Sequence, residues 1–253
     1  MIMANEYKLL IGAYGWQHKA WNEAFYPEDL PEEWQFAYYA NEYSVVMIPW
    51  KLLQQNFEIF EQGIEDSEES CRILYEMPVN DFKTQSNSTI RDAVQRFLDK
   101  VSFVGDRSLG LVLVFQYSDI CNLSQDKLDF FRELLQTITK SINLCIEVQA
   151  VASTTDSTKP ISNDILSILA DTNAGLCAYN DCVQKFSDYP EVLATPFNLT
   201  VCDIISIEPK KMRKIVENSL RGECAASTNV LIFRSKNLNH EQMNTASVIS
   251  DLL

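Results

Sequence analysis

Eight short apolar runs recur along this chain at nearly even intervals, and this recurrence limits its fold more than any other feature. They are KLLIGAYGW from Lys8, SVVMIPW from Ser44, CRILYEMP from Cys71, GLVLVFQY from Gly110, NLCIEVQA from Asn143, GLCAYN from Gly175, LTVCDIISI from Leu199 and NVLIFRSK from Asn229. Each has the length of a strand. Several are apolar almost throughout, as strands covered on both faces are. Their starts lie about 32 residues apart on average, close to the length that one strand–helix–strand unit occupies.

Helical patterns fill most of the gaps. Pro31 is a good first residue for PEEWQFAYYANEY, with two glutamates in the first turn. STIRDAVQRFLDKVSFV starts at Ser88 and carries Leu, Val and Phe on one face. LSQDKLDFFRELLQTITKSI has Ser124 as its N-cap. PISNDILSILADT, EPKKMRKIVENSLRG and NHEQMNTASVISDLL complete the set, with Gly222 as a stop for the second of these three. Between Cys182 and Thr195 any helix must be very short. The pattern predicts an α/β fold, a TIM-like (β/α)8 barrel irregular around the sixth helix, as one domain over residues 1–253. The rival is an open doubly wound sheet, which often carries a phosphate fingerprint after its first strand. Here Gly12 and Gly15 are followed by the bulky Trp16, a weak motif at best.

Charge narrows the function classes. The formal net charge is −14, which argues against nucleic acid and anionic lipid as main partners. The one basic cluster, PKKMRK from Pro209, reads as a solvated helix face. No apolar run approaches the ~20 residues of a membrane helix. MIMANEYKLLIG shows no long apolar stretch of a signal peptide. Seven cysteines with no CxxC spacing argue against a disulfide framework or a zinc ribbon. A cytoplasmic protein is the expectation.

The stretch after the first run, IGAYGWQHKAWNEAFYPEDLPEEW, is crowded with aromatics. In order and spacing, Gly12, Gly15, Trp16, Trp21, Phe25, Tyr26, Pro27 and Leu30 resemble the opening of the YecE-like family (domain of unknown function 72), barrel-like proteins of unknown function. Weaker likenesses follow. LGLVLVFQ, ending in Gln116, resembles the family's fourth strand, and CIEVQ, with Glu147, its fifth. VLIFRSKN and NTASVISDLL resemble its last strand and helix. The departures fall mostly on polar positions of the mouth. Met47, Pro49, Lys51, Leu52 and Leu53 stand where the family has Glu-x-Asn and Thr-Phe-Tyr. Glu76, Pro78 and Val79 replace Lys-x-Pro-Arg. Tyr117, Ser118 and Asp119 replace Leu-Pro-Pro. Gln149 stands for an Arg, and Arg234 and Ser235 for paired Asn. The strand-seven Arg-x-His-Gly pattern is absent. The resemblance therefore implies the family's scaffold with an altered site.

A barrel places its chemistry at the C-terminal ends of its strands. The residues expected there are Trp16, His18, Trp50, Glu76, Gln116, Glu147, Gln149 and Arg234. Glu76 and Glu147 suit acid/base or glycosidic chemistry if they face each other, and ion pairing if they do not. Glu147, between Ile146 and Val148, needs a partner or a shifted pKa. Arg234 and Lys236 suit an anion or a rim ion pair. His18 is a general base or a solvent-facing loop residue. Trp21, Phe25 and Tyr26 read as a plug on the first helix, with Trp34, Phe36, Tyr38 or Tyr39 as partners. Trp16 is kept for the site, with Trp50 across from it. With two histidines in all, no metal and no cofactor are expected. The leading expectation is a barrel that binds a small polar ligand or a partner without catalysis. The alternatives are an enzyme acting on a small anionic or sugar-like molecule and a partner-binding module built on exposed aromatics.

Overall fold

The computed structural model describes residues 9–22, 24–149, 161–179, 197–204, 207–220, 228–235 and 237–253. Every apolar run named above holds a strand. These are β1 (Leu9–Tyr14), β2 (Val45–Ile48), β3 (Arg72–Pro78), β4 (Ser108–Gln116) and β5 (Leu144–Gln149). Then come β6 (Gly175–Leu176), β7 (Ala178–Tyr179), β8 (Asn198–Cys202) and β9 (Asn229–Phe233). All pairings are parallel, in the order β6-β5-β4-β3-β2-β1-β9-β8-β7. The two ends of that order are halves of one strand, interrupted at Cys177. Its first half pairs with β5 and its second with β8, so the sheet comes round on itself as a (β/α)8 barrel.

The helices lie between the strands in sequence. They are α1 (Gln35–Glu42), α2 (Trp50–Gln55), α3 (Phe57–Asp66), α4 (Asn87–Val101) and α5 (Tyr117–Ile120). They continue with α6 (Gln125–Ile138), α7 (Asn163–Thr172), α8 (Pro209–Leu220) and α9 (His240–Asp251). Two details differ from the sequence expectation. The α4 helix is capped by Ser86, whose hydroxyl accepts from the Thr89 N–H at 3.2 Å, so it begins before Ser88. The pair α2–α3, broken at Asn56, fills a gap for which no helix was expected. Gly222 and the segment from Cys182 to Thr195 lie outside the described residues.

Two apolar layers hold the barrel. Alternate strand residues point inward, and Leu10, Met47, Leu74, Val112, Cys145, Val201 and Ile232 belong to the inner cluster. The other parity packs under the helices. The loop after β1 joins that outer layer as an aromatic plug. Trp21 stacks on Tyr39 of α1 with centroids 5.9 Å apart, and Phe25 meets Tyr38 edge-on at 5.2 Å. The Trp21 indole N–H donates to the Leu238 carbonyl at 2.7 Å, tying the plug to the approach to α9. Tyr26 donates to the Trp16 carbonyl at 2.5 Å. Trp34, one of the expected partners, is instead exposed.

One hydroxyl enters the sheet itself. The Tyr39 hydroxyl accepts from the Ala13 N–H and donates to the Val45 carbonyl, both at 2.8 Å, bridging β1 and β2. Gly12 makes room for it. A Cβ there would sit 1.7 Å from the Val45 carbonyl oxygen and 2.9 Å from the Tyr39 hydroxyl.

Candidate functional site

The inward parity is apolar through the middle of the barrel and gathers polar side chains at its C-terminal end. Two residues beyond Leu74 it carries Glu76, and beyond Val114 it carries Gln116. Beyond Cys145 come Glu147 and Gln149, beyond Val201 comes Asp203, and beyond Ile232 comes Arg234. On β1 the same parity runs Leu10, Gly12, Tyr14. The period of two thus places seven polar side chains on one rim, from strands far apart in sequence.

These side chains form two joined groups. In the first, Arg234 lies between two carboxylates. Its Nη1 donates to both Glu147 oxygens, at 2.7 and 3.0 Å. Its Nε and Nη2 donate to the two Asp203 oxygens, at 2.9 and 3.2 Å. Gln149 Nε2 donates to Glu147 Oε1 at 2.7 Å, and Gln116 Nε2 donates to Gln149 Oε1 at 3.1 Å. In the second, the Tyr14 hydroxyl donates to Glu76 Oε2. The two groups meet where the Arg234 guanidinium stands 5.8 Å from the centre of the Tyr14 ring.

Burial is graded across the rim. The Glu147 side chain is 0% exposed, Arg234 14% and Asp203 42%. Asp203 therefore covers the solvent side of the guanidinium and Glu147 its inner side. Burial also pushes the Glu76 carboxyl above the usual carboxylate range. The nearby Glu147 pushes it further, while the Tyr14 hydroxyl, Arg234 and the Trp50 backbone N–H oppose the shift. Burial and the adjacent Glu76 together hold the Tyr14 phenol well above its ordinary value. Three carboxyl groups thus surround one fixed cation. One of them, Glu76, is held toward its neutral form, in which it can donate as well as accept.

Of the residues expected at the site, Glu76, Gln116, Glu147, Gln149 and Arg234 meet in this network. Trp16, His18 and Trp50 do not. Trp16 is fully buried in the outer layer, edge-on to Phe36 at 5.0 Å and stacked on Phe60 at 6.1 Å. Gly15, at φ +77°, turns the chain away from the rim one residue earlier. The His18 ring lies 4.3 Å from Trp21, neither a rim group nor a solvent-facing one. Burial pushes its pKa down against backbone hydrogen bonds to Gly15 and Tyr14. The Trp50 ring packs on Phe97 of α4 at 5.4 Å, so it faces the helical layer, not Trp16. Only its backbone turns toward Glu76. Lys236 lies outside the described residues.

Tyr14 and Asp203 were not anticipated from the sequence. Counting by twos from Leu10 and from Leu199 reaches both. Glycine at position 12 hides the first alternation, and Asp203 lies just past the end of its strand.

Other chemistries find less support. Among the described residues, no group of three or more His, Cys, Asp or Glu is arranged to hold a metal ion. Burial pushes the Cys71 thiol up to about 12 and raises Cys145 and Cys177 as well, which disfavours the nucleophilic thiolate. A cavity of about 580 Å³ opens at the opposite end of the barrel, beside Val101, Ser108 and Ile142. Its charged lining residues, Asp106 and Lys140, are both exposed. No helix among the described residues is long and apolar enough to cross a membrane.

No protein-family model matches the chain, and no curated protein does. Solved structures do. Two structures of a DUF72 family protein from Enterococcus faecalis V583 share the fold at 10% identity. One has a TM-score of 0.67, covering 97% of this chain and 96% of that one. The other has a TM-score of 0.65, covering 99% and 100%. A D-psicose 3-epimerase, solved in the presence of D-fructose, matches with a TM-score of 0.55 at 10% identity, covering 96% and 97%. At such identities the likeness is one of fold. The resemblance to DUF72 in the opening stretch is thus matched by an architecture common to both chains along nearly their whole length.

Proposed function

We propose that this chain is a divergent YecE-like barrel protein, altered at the family's site, that binds a small hydroxyl-rich molecule at its C-terminal mouth without known catalysis. One observation carries this reading. The barrel interior is apolar through its middle, and at its C-terminal end Tyr14, Glu76, Gln116, Glu147, Gln149, Asp203 and Arg234 replace apolar residues together. Packing alone does not account for such a cluster. Desolvating an ion pair costs several kcal/mol per ion, and well-packed apolar residues often serve stability as well or better. A convergent polar set at the C-terminal face of a barrel is the usual form of a small-molecule site.

Hydroxyl groups both donate and accept, and the rim asks for both. Carboxylate and amide oxygens supply acceptors, while the amide of Gln116 supplies a donor, as does the Glu76 carboxyl whenever it carries the proton that burial favours. The free cysteines among the described residues suit a reducing, cytoplasmic setting.

The test is a thermal-shift screen of the purified protein against sugars, polyols, amines and nucleosides, with Glu147→Gln beside the wild type. A ligand at 100 times its Kd stabilises a folded protein by about 2.7 kcal/mol. A shift seen in the wild type and lost in Glu147→Gln supports the reading. Sugars and polyols that shift neither protein would overturn it.

The Tyr14–Glu76 pair favours a second reading, an enzyme on the same ligand class. A carboxyl held toward its neutral form beside a second carboxylate is how general acids are prepared. Incubating any hit with the protein and following its conversion tests this, and turnover must then vanish in Glu76→Gln.

A further inference from the structure

The arrangement around Arg234 carries a further inference, about what the mouth rejects. An arginine at the end of the last strand of a barrel is well placed to grip phosphate or carboxylate, because its planar fork matches two oxygens at once. Here both edges of the fork are occupied. Glu147 takes Nη1 from the buried side, and Asp203 takes Nε and Nη2 from the solvent side. The edge that an arriving anion would meet is the Asp203 edge, since Asp203 is 42% exposed while Glu147 is fully buried.

We propose that Asp203 is the specificity-determining residue of the mouth: by filling the outer edge of Arg234 it excludes anions and reserves the site for uncharged, hydroxyl-rich ligands. This rests on the mouth being the ligand site. An anion would have to displace a carboxylate hydrogen-bonded through both its oxygens, and it would then lie beside Asp203 and Glu147. A neutral polyol meets neither obstacle and can reach the amide of Gln116 without displacing the Asp203–Arg234 pair. Asp203 thus acts through Arg234, as a positioning residue.

The prediction is a gain of function. The wild type, Asp203→Asn and the double variant Asp203→Asn/Arg234→Gln are titrated with inorganic phosphate by calorimetry at constant ionic strength. The expected result is no saturable binding to the wild type, saturable binding to Asp203→Asn at least tenfold tighter than any seen with the wild type, and its loss in the double variant. A merely structural aspartate would weaken the fold and create no anion site. Saturable phosphate binding by the wild type that disappears in the double variant would overturn the proposal, as would an Asp203→Asn protein that melts normally yet binds no phosphate. If Asp203→Asn does not fold, Asp203→Ser carries the same titration. The readout does not depend on the natural ligand. A failed sugar screen beside a successful phosphate gain would sink the functional reading and leave only the anion exclusion at Arg234 standing, and the converse would sink the anion exclusion alone.

Discussion

Tyr14 on β1 and Glu76 on β3 join hands across the barrel mouth, the phenol hydroxyl donating to the carboxyl oxygen over the end of the intervening β2. This contact holds a proton-bearing pair in a largely buried place. Because the folded state raises the Glu76 pKa, the folded protein binds that proton more tightly than the unfolded chain does. The stability this contributes is fully present below the usual carboxylate range. It is lost as pH rises through the elevated value. Glu76→Gln, a mimic of the protonated form, is therefore expected to raise the melting temperature at neutral pH. Below about pH 4, near the ordinary carboxylate pKa, the gain should disappear. Melting curves of both proteins across that range check it, and a destabilised variant at neutral pH would contradict the argument.

Glu147 is the buried end of the Arg234 cluster. Replacing it with Gln leaves the inner edge of the guanidinium without its charge partner, at a cost of about 3 kcal/mol. Changing Glu147 and Arg234 together to Met should recover much of that loss. Urea unfolding of the single and double variants gives the coupling directly.

The Tyr39 hydroxyl bridges the Ala13 N–H and the Val45 carbonyl. Tyr39→Phe strands both groups in a dry place, and an unmade buried hydrogen bond costs about 1–3 kcal/mol. The ring and its stacking on Trp21 survive the change. A loss below about 0.5 kcal/mol, the size of an ordinary surface effect, would mean that the strands close up without the hydroxyl.

His18 predicts an opposite pH response. Its pKa is lowered in the folded state, so the unfolded chain takes up the proton first. Its contribution is whole above about pH 6.5 and fades as pH falls below that value. In His18→Phe, which keeps an aromatic ring against Trp21, this part of the acid sensitivity should be missing. Stability measured between pH 7 and pH 5 separates the two proteins.

The sequence made the strands legible because most are apolar almost throughout and bounded by polar chain. It hid α2 and α3 for a local reason. Leu53, Phe57, Phe60 and Ile64 keep helical spacing, but Asn56 interrupts it at φ −126°, ψ 36°, and Gly63 weakens it further. That glycine answers to tertiary packing, since a Cβ there would meet the Phe36 ring at 2.7 Å. At the rim, Glu147 stood out as a charge inside an apolar strand, and its structure repays the attention with Arg234. Trp16 misled because nearness to a strand end in sequence does not fix a direction, and the turn at Gly15 sends that side chain outward under the helices. Which charge satisfies which, as at Asp203, depends on side chains from different strands and has no sequence signature.

The interruption at Cys177 has a dynamic consequence. The ladder on either side of it is brief, with Cys145 and Ile146 facing Gly175 and Leu176, and Ala178 and Tyr179 facing Thr200 and Val201. Elsewhere the neighbouring strands grip each other over longer stretches. A cylinder joined so briefly along one line breathes there first, by local opening rather than global unfolding. The amides along that line, including the Cys177 N–H bonded to the Ile146 carbonyl, would trade hydrogen for deuterium ahead of those between β3 and β4. Glu147 sits one residue beyond Ile146 on the same strand, so each such opening would also loosen the wall behind Arg234.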